Sequence, residues 1–331
     1  MLKTIPHSLK IADTKYDGRY KFANGHEAPI FEIDSMHGLN QIIGHAKFTN
    51  RNFGQVFYRG QCKLYDKLLP SLFRGCKKTS SVTGELRKTI NLIITDKQLS
   101  NDLKVSTSEQ ELSEIKIEGI LQHYGLPTRY LDLVDNHWVA LWMGNNRYEE
   151  KKIKNKYCHF IHREVLFEDK ECGIYTTHSR KFKRISGLVG DKECGIYTTS
   201  TNLDELYQYT ILLAVPYSTR NSEGISFSDN HILTDLRQAL PSVFLRPHAQ
   251  HGLVIRKRVS GGTNVDDYDM ASDVVGILKL RIDKVSRWLG DGQMLTQNNL
   301  FPPAGYDCGY DILLSRNDIF SRSKYQIARY F

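Results

Sequence analysis

The sequence predicts an α+β fold, with helices packed on a mostly antiparallel sheet and one inserted segment. Three observations carry this prediction. Helical periodicity is concentrated in the first 145 residues, and strand-length apolar runs dominate beyond that point. The element order also lacks the regular βαβ alternation of a parallel sheet. With 331 residues, 40% hydrophobic and 11% aromatic, the chain can bury a sizeable core and does not have a disordered composition.

Residues 1–33 are polar and show no sustained period. Asp17-Gly18 and Asn24-Gly25 are turn signals and Pro29 is a breaker. This stretch reads as an amino-terminal arm or as irregular strands, ahead of a single domain over 34–331. Asp34 or Ser35 can cap a helix that carries Met36, Leu39, Ile42, Ile43 and Ala46 at helical spacing. Gln55-Val56-Phe57-Tyr58-Arg59 is β-rich and reads as a buried strand ending at Gly60. Residues 82–100, with Leu86, Ile90, Ile93 and Ile94, suit a helix.

The clearest helix spans 107–124. Thr107 with Gln110, or Ser108 with Glu111, forms a capping-box pattern. Gly125 suits the left-handed residue that ends a helix, and Pro127 blocks its return. Thr128 to Asp132 then leaves as an extended segment. A further helix runs from about Asn136 to Met143, capped by Asp135 and stopped at Gly144. Strands are expected at Tyr157–Phe167, Gln208–Pro216, Gly252–Val259 and Val274–Ile282. Residues 231–240 read as a short helix ended by Pro241.

The insertion is expected over about 145–205. It holds an exact repeat, in which Asp169 to Thr177 recurs as Asp191 to Thr199. Two copies do not make a solenoid. The repeat reads as a local duplication, with a metal-binding Cys172–Cys194 pair as the alternative; zinc needs a fuller ligand set.

The net charge is +8, so anionic partners fit, nucleic acid among them. Acids and bases are interleaved and no long basic block exists, which weakens the nucleic-acid case. The start of the chain lacks the apolar core of a signal peptide, and no apolar stretch approaches the roughly 20 residues that span a bilayer. Six cysteines are too sparse for a disulfide scaffold at this length. A cytoplasmic protein without membrane partners is the expectation. P-loop, doubly wound dinucleotide-binding and serine-hydrolase motifs are missing.

Three segments carry an arginine beside residues able to bind or move protons. They are Phe57-Tyr58-Arg59-Gly60-Gln61, Gln122 to Asp132, and Leu245 to Gly252. Arginine offers a planar fork that matches phosphate and carboxylate oxygens. If they converge, Arg59, Arg129 and Arg246 would hold a small anion, such as NAD or another nucleotide. Arg59 lies in an apolar strand, so it needs either a ligand or a carboxylate such as Asp132 or Glu118. Arg129 faces the same choice.

His123 and Asp132 are the candidates for proton transfer. The end of a helix favours a protonated His123, whose other role would be to cap the helix. Gln61, Gln122 and Gln250 are candidate ligand contacts; Gln122 and Gln250 could instead satisfy backbone groups. His248 with His251, and Cys158 with His159 and His162, lack the helical spacing of a metalloenzyme, so no metal is expected. Cys62 reads as filler rather than as an activated thiolate.

The Tyr58-Arg59-Gly60 motif resembles that of the FRG domain family, named for its (Phe/Tyr)-Arg-Gly element. The segment from Gln122 to Asp132 closely resembles that family's Gln-His-x-Gly-x-Pro-Thr-Arg-x-Leu-Asp, and Arg246 to Gly252 is similar to its Arg-x-x-x-Gln-x-Gly. The match covers roughly residues 50–255. The resemblance implies no settled chemistry and no particular cofactor, though such domains are associated with phage defence in bacteria. A weaker resemblance links Tyr58-Arg59-Gly60 and Thr199-Ser200-Thr201 to ADP-ribosyltransferases. Their third element departs here, because Glu109-Gln110-Glu111 precedes the Thr-Ser-Thr instead of following it. An enzyme acting on a nucleotide-like anion, a non-catalytic nucleotide sensor and a nucleic-acid-binding module all remain open at this point.

Overall fold

A computed structural model describes residues 1–76, 78–105, 109–152, 156–163, 166–169, 173–176, 197–198, 206–259, 264–316, 319–320 and 325–330. The chain opens with strands β1 (Thr14–Lys21) and β2 (Glu27–Ile33), helix α1 (Met36–Asn50) and strand β3 (Gly54–Gln61). Helices α2 (Thr79–Thr95), α3 (Lys97–Asp102) and α4 (Gln110–His123) follow, then β4 (Leu131–Val134) and α5 (His137–Asn145). Five short strands come next: β5 (Asn146–Lys152), β6 (Lys156–His162), β7 (Leu166–Asp169), β8 (Gly173–Thr176) and β9 (Tyr197–Thr198).

The second half holds β10 (Tyr207–Pro216), β11 (Arg220–Ser222), β12 (Ile225–Phe227), β13 (His231–Asp235), α6 (Leu236–Ala239), α7 (Leu245–Ala249), β14 (Gly252–Lys257) and β15 (Val274–Arg281). It closes with α8 (Ile282–Trp288), α9 (Gln297–Leu300), α10 (Cys308–Ser315) and β16 (Arg329–Tyr330).

The α+β expectation is met. A ten-stranded sheet runs in the order β1-β2-β15-β10-β3-β4-β14-β13-β12-β11. Every neighbouring pair is antiparallel except β15 with β2. Strand β3 sits near its middle, between β10 and β4. Alternation along β10 explains how the sheet is covered on both faces. Ile211, Leu213 and Val215 join one apolar cluster, while Leu212 and Ala214 join another with α1 and α5. A third cluster gathers α2, α4, α6 and α10. Helix α4 is buried almost all round, which explains its weak amphipathic pattern.

Most expected elements appear, with some differences of local cause. Residues 1–33, expected as an arm or irregular strands, supply the hairpin β1–β2 at one edge of the large sheet. The helix expected over 82–100 is two helices, because Asp96 ends α2 and caps α3 by accepting from the Leu99 amide at 2.9 Å. Helix α5 is capped by Asn136, whose Oδ1 accepts from the Trp138 amide, and not by Asp135, which pairs with Arg237.

The helix expected over 231–240 is a correction. His231–Asp235 is a strand whose side chains alternate against β12 and β14, and only Leu236–Ala239 is helical. Tertiary pairing decides the state of that short apolar run. The proposed cap residues Thr107 and Ser108 lie outside the described residues, as do Cys172, Cys194 and most of the repeat.

A small second sheet, β16-β6-β5, is formed by the first strands of the expected insertion and the carboxy-terminal strand. Among the described residues, no helix is long and apolar enough to cross a membrane. The described cysteines Cys62, Cys76 and Cys308 are free thiols.

Candidate functional site

The geometry of the site starts at a glycine. A Cβ on Gly60 would lie 1.8 Å from the Ala140 carbonyl oxygen and 2.7 Å from the Gly144 nitrogen. The backbone of β3 therefore lies directly on α5, which only glycine permits. This contact fixes the end of β3, and with it the two residues on either side of the glycine, Arg59 and Gln61.

Both border an open cleft of about 1610 Å³, lined by the end of β3, the chain that follows it to Gly75, the end of α4, β4, and strands β5 and β6. Arg59 Nη1 donates to the Asp132 backbone carbonyl at 2.9 Å. Its Nε is buried with no hydrogen-bond partner among the described residues. No carboxylate forms a salt bridge with it among the described residues. Burial and the neighbouring Arg74 lower its pKa to about 10, against the opposing pull of Asp132, so the guanidinium still carries its charge at neutral pH.

The central motif explains how Asp132 is held. The Tyr130 amide donates to Thr128 Oγ1 at 3.1 Å. The Thr128 hydroxyl donates to Gln122 Oε1, and Gln122 Nε2 donates to Asp132 Oδ2 at 2.7 Å. The chain of donors runs one way and fixes the orientation of the Gln122 amide. Burial raises the pKa of Asp132 above the usual carboxylate range, while Arg59, the Gln122 bond and Arg74 pull it back only in part. Gly125 ends α4 in the left-handed conformation, φ 89°, with the Leu126 amide bonded to the Leu121 carbonyl.

His123 also borders the cleft, but its ring is held neutral. Burial, then Arg246, lowers its pKa to about 3. The helix end was expected to favour protonation; desolvation outweighs the dipole here. The ring packs on Gly252, where a Cβ would come within 2.6 Å of Nε2.

The three arginine motifs meet at this cleft, yet their guanidinium groups do not share it. Arg59, Gln61, Gln122, His123, Asp132 and Gln250 line it; Arg129 and Arg246 do not. Arg129 grips the fully buried Glu118 through Nε and Nη2, at 3.0 and 2.6 Å. Arg256 Nη1 completes the triad at 2.8 Å. Burial alone would raise the Glu118 pKa, but the two guanidinium groups outweigh it and hold the carboxylate below its usual range.

Arg246 is fully buried in an aromatic box. Its guanidinium carbon lies 4.3 Å from the ring centroids of Tyr124 and Tyr330 and 4.7 Å from that of Tyr310. Its Nη1 donates to the His123 carbonyl at 2.9 Å. Gln250 Nε2 donates to the Leu300 carbonyl at 2.7 Å. Gln61 Oε1 is buried at the cleft wall without a partner among the described residues.

Several lining residues had no sequence signal. Arg74 follows a short 3-10 turn (Ser71–Phe73) and acts electrostatically on both Arg59 and Asp132. Lys63, Arg147 and Arg163 also line the cleft. Cys62 faces Arg163 and Arg147, yet burial raises its thiol pKa. Among the described residues, no cluster of three His, Cys, Asp or Glu side chains is arranged to hold a metal ion. His159 and the Thr199-Ser200-Thr201 stretch fall outside the described side chains.

Fold and site together define an α+β protein with an open, basic cleft built on the centre of its main sheet. Residues 54–152 match the model of the FRG domain family, so the chain carries an FRG domain over that segment. The matched segment runs from β3 to β5 and contains both the Arg59 and the Gln122–Asp132 motifs. No curated protein and no solved structure matches the chain.

Proposed function

We propose that the cleft binds a nucleotide-like anion through Arg59 and Arg74, and that Asp132 takes a proton from it or from an attacking group. One observation carries this reading: a guanidinium in the cleft wall that, among the described residues, forms no salt bridge with a carboxylate and has one buried N–H without a partner. A buried donor left unpaired costs about 1–3 kcal/mol, a cost a bound phosphate oxygen would relieve.

Asp132 supports the catalytic half. Its raised pKa moves it toward the range in which a carboxylate works as a general base, and Gln122 holds one of its oxygens in place. The neutral His123 ring can accept or position a hydrogen bond but cannot serve as a stored acid near neutral pH. NAD is one nucleotide that fits this description. The family resemblance suggests a setting in bacterial phage defence, which is analogy and not chemistry.

The test is calorimetric binding of NAD, ATP and ADP, with products followed by mass spectrometry. Arg59→Ala should abolish binding and leave the melting temperature nearly unchanged. Wild-type affinity in that variant would overturn the reading. Binding without any product would remove the role given to Asp132.

A further inference from the structure

We infer that the cleft takes its nucleotide as part of a single-stranded nucleic acid, not as a free mononucleotide. This rests on the nucleotide-binding reading above and names its substrate class. The cleft, at about 1610 Å³, exceeds the roughly 300–1,000 Å³ of ordinary small-molecule pockets. Its charge also extends beyond the Arg59 subsite. Among the described lining residues are six lysines and arginines, namely Arg59, Lys63, Lys67, Arg74, Arg147 and Arg163, against the carboxylates Asp132 and Glu150. Lys67 and Arg147 pair with Asp266 and Glu149, and Arg163 Nη1 donates to the Tyr207 carbonyl at 2.9 Å; the cations of the lining still outnumber its carboxylates.

These cations come from separate segments of the chain. Lys63 and Lys67 follow β3, Arg147 lies on β5, and Arg163 follows β6. A polyanion lying in the cleft would meet several of them. Aromatic faces accompany them: Tyr65 and Tyr148 are 47% and 43% exposed, and the Lys63 ammonium lies 5.3 Å from the Tyr65 ring centroid. Cations tracking a backbone, with exposed rings for unpaired bases, are the recognition chemistry of single strands. An acidic peptide would meet the same charge but has no bases to stack on those rings.

The experiment is fluorescence polarisation with labelled eight-nucleotide single-stranded RNA and DNA, with AMP and a poly-glutamate peptide as competitors. A single strand should bind at least tenfold tighter than AMP, and its affinity should fall steeply with salt. The double variant Lys63→Ala with Arg147→Ala should weaken the strand about tenfold and leave AMP binding unchanged. It should also reduce the salt slope by about 1.4, since each phosphate contact on a single strand contributes roughly 0.7. The choice between RNA and DNA follows from which strand binds tighter.

AMP binding with no gain from the longer strand would overturn this inference and leave the nucleotide reading standing. So would a double variant with wild-type affinity, or a peptide that competes as well as the strand. Loss of both AMP and strand binding in the wild-type protein would remove the two proposals together.

Discussion

Glu118→Gln should destabilise the protein without disturbing the cleft. Glu118 is fully buried on α4 and compensates two guanidinium groups, Arg129 and Arg256, whose side chains are 26% and 11% exposed. The isosteric glutamine keeps the volume and removes the charge. Removing one partner of a buried pair costs about 3–5 kcal/mol. Arg129 retains some water contact, so the lower half of that range, about 3–4 kcal/mol, is expected.

An unfolding entropy of about 2.1 cal/mol/K per residue gives a chain of 331 residues roughly 0.7 kcal/mol per degree. The melting temperature should therefore fall by about 4–6 °C. Differential scanning fluorimetry measures this, and urea titration gives the free energy independently. Adding Arg256→Met removes one of the stranded cations and should recover part of the loss, with a coupling of at least about 1 kcal/mol. Nucleotide affinity should hold throughout, because neither Glu118 nor Arg129 lines the cleft. A Glu118→Gln protein that melts within a degree of wild type would refute the reasoning.

Two further outcomes follow from the same packing. Gly60→Ala places a methyl group 1.8 Å from a backbone oxygen that cannot yield cheaply; a loss of about 3 kcal/mol or more, seen as a melting temperature at least roughly 4 °C lower, is expected, and a wild-type melt would show that β3 does not rest on α5 as described. His123 concerns pH: its folded pKa of about 3 lies below the ordinary 6.5, so between those values the unfolded chain binds a proton that the folded one excludes. Its contribution to stability is therefore intact above about pH 6.5 and is lost as pH falls toward 3. From pH 6.5 to 5 the loss should be about 2 kcal/mol, a shift of about 3 °C that His123→Gln removes; equal acid sensitivity in that variant would contradict the assignment.

Much of the fold was legible because its signals are local. Ser35 capping α1, the Gly125-x-Pro127 end of α4, and the apolar run of β10 depend on neighbours a few residues away. The stretch 231–235 failed for the opposite reason: its strand state is set by β12 and β14, not by its own pattern. At the site, sequence marked the residues but not their surroundings. Arg59, Arg129 and Arg246 look alike as letters, yet they face a cleft, a buried carboxylate and an aromatic box. The rings of that box come from Tyr124 and, far along the chain, Tyr310 and Tyr330, and no spacing announces such a meeting. Arg74 and Arg256 were silent because their partners lie on other elements.

The position of β3 has a consequence for how the FRG segment is to be handled. One edge of β3 is paired over its full length with β10, and β4 is paired on its far side with β14. Both outer partners lie beyond residue 152, outside the segment that matches the family. Excised, that segment would carry two bare strand edges and half-covered apolar faces, which invite aggregation. The matched stretch is therefore expected not to fold alone, and the minimum piece of chain to express is set by hydrogen-bonded neighbours as far along as β14 and β15.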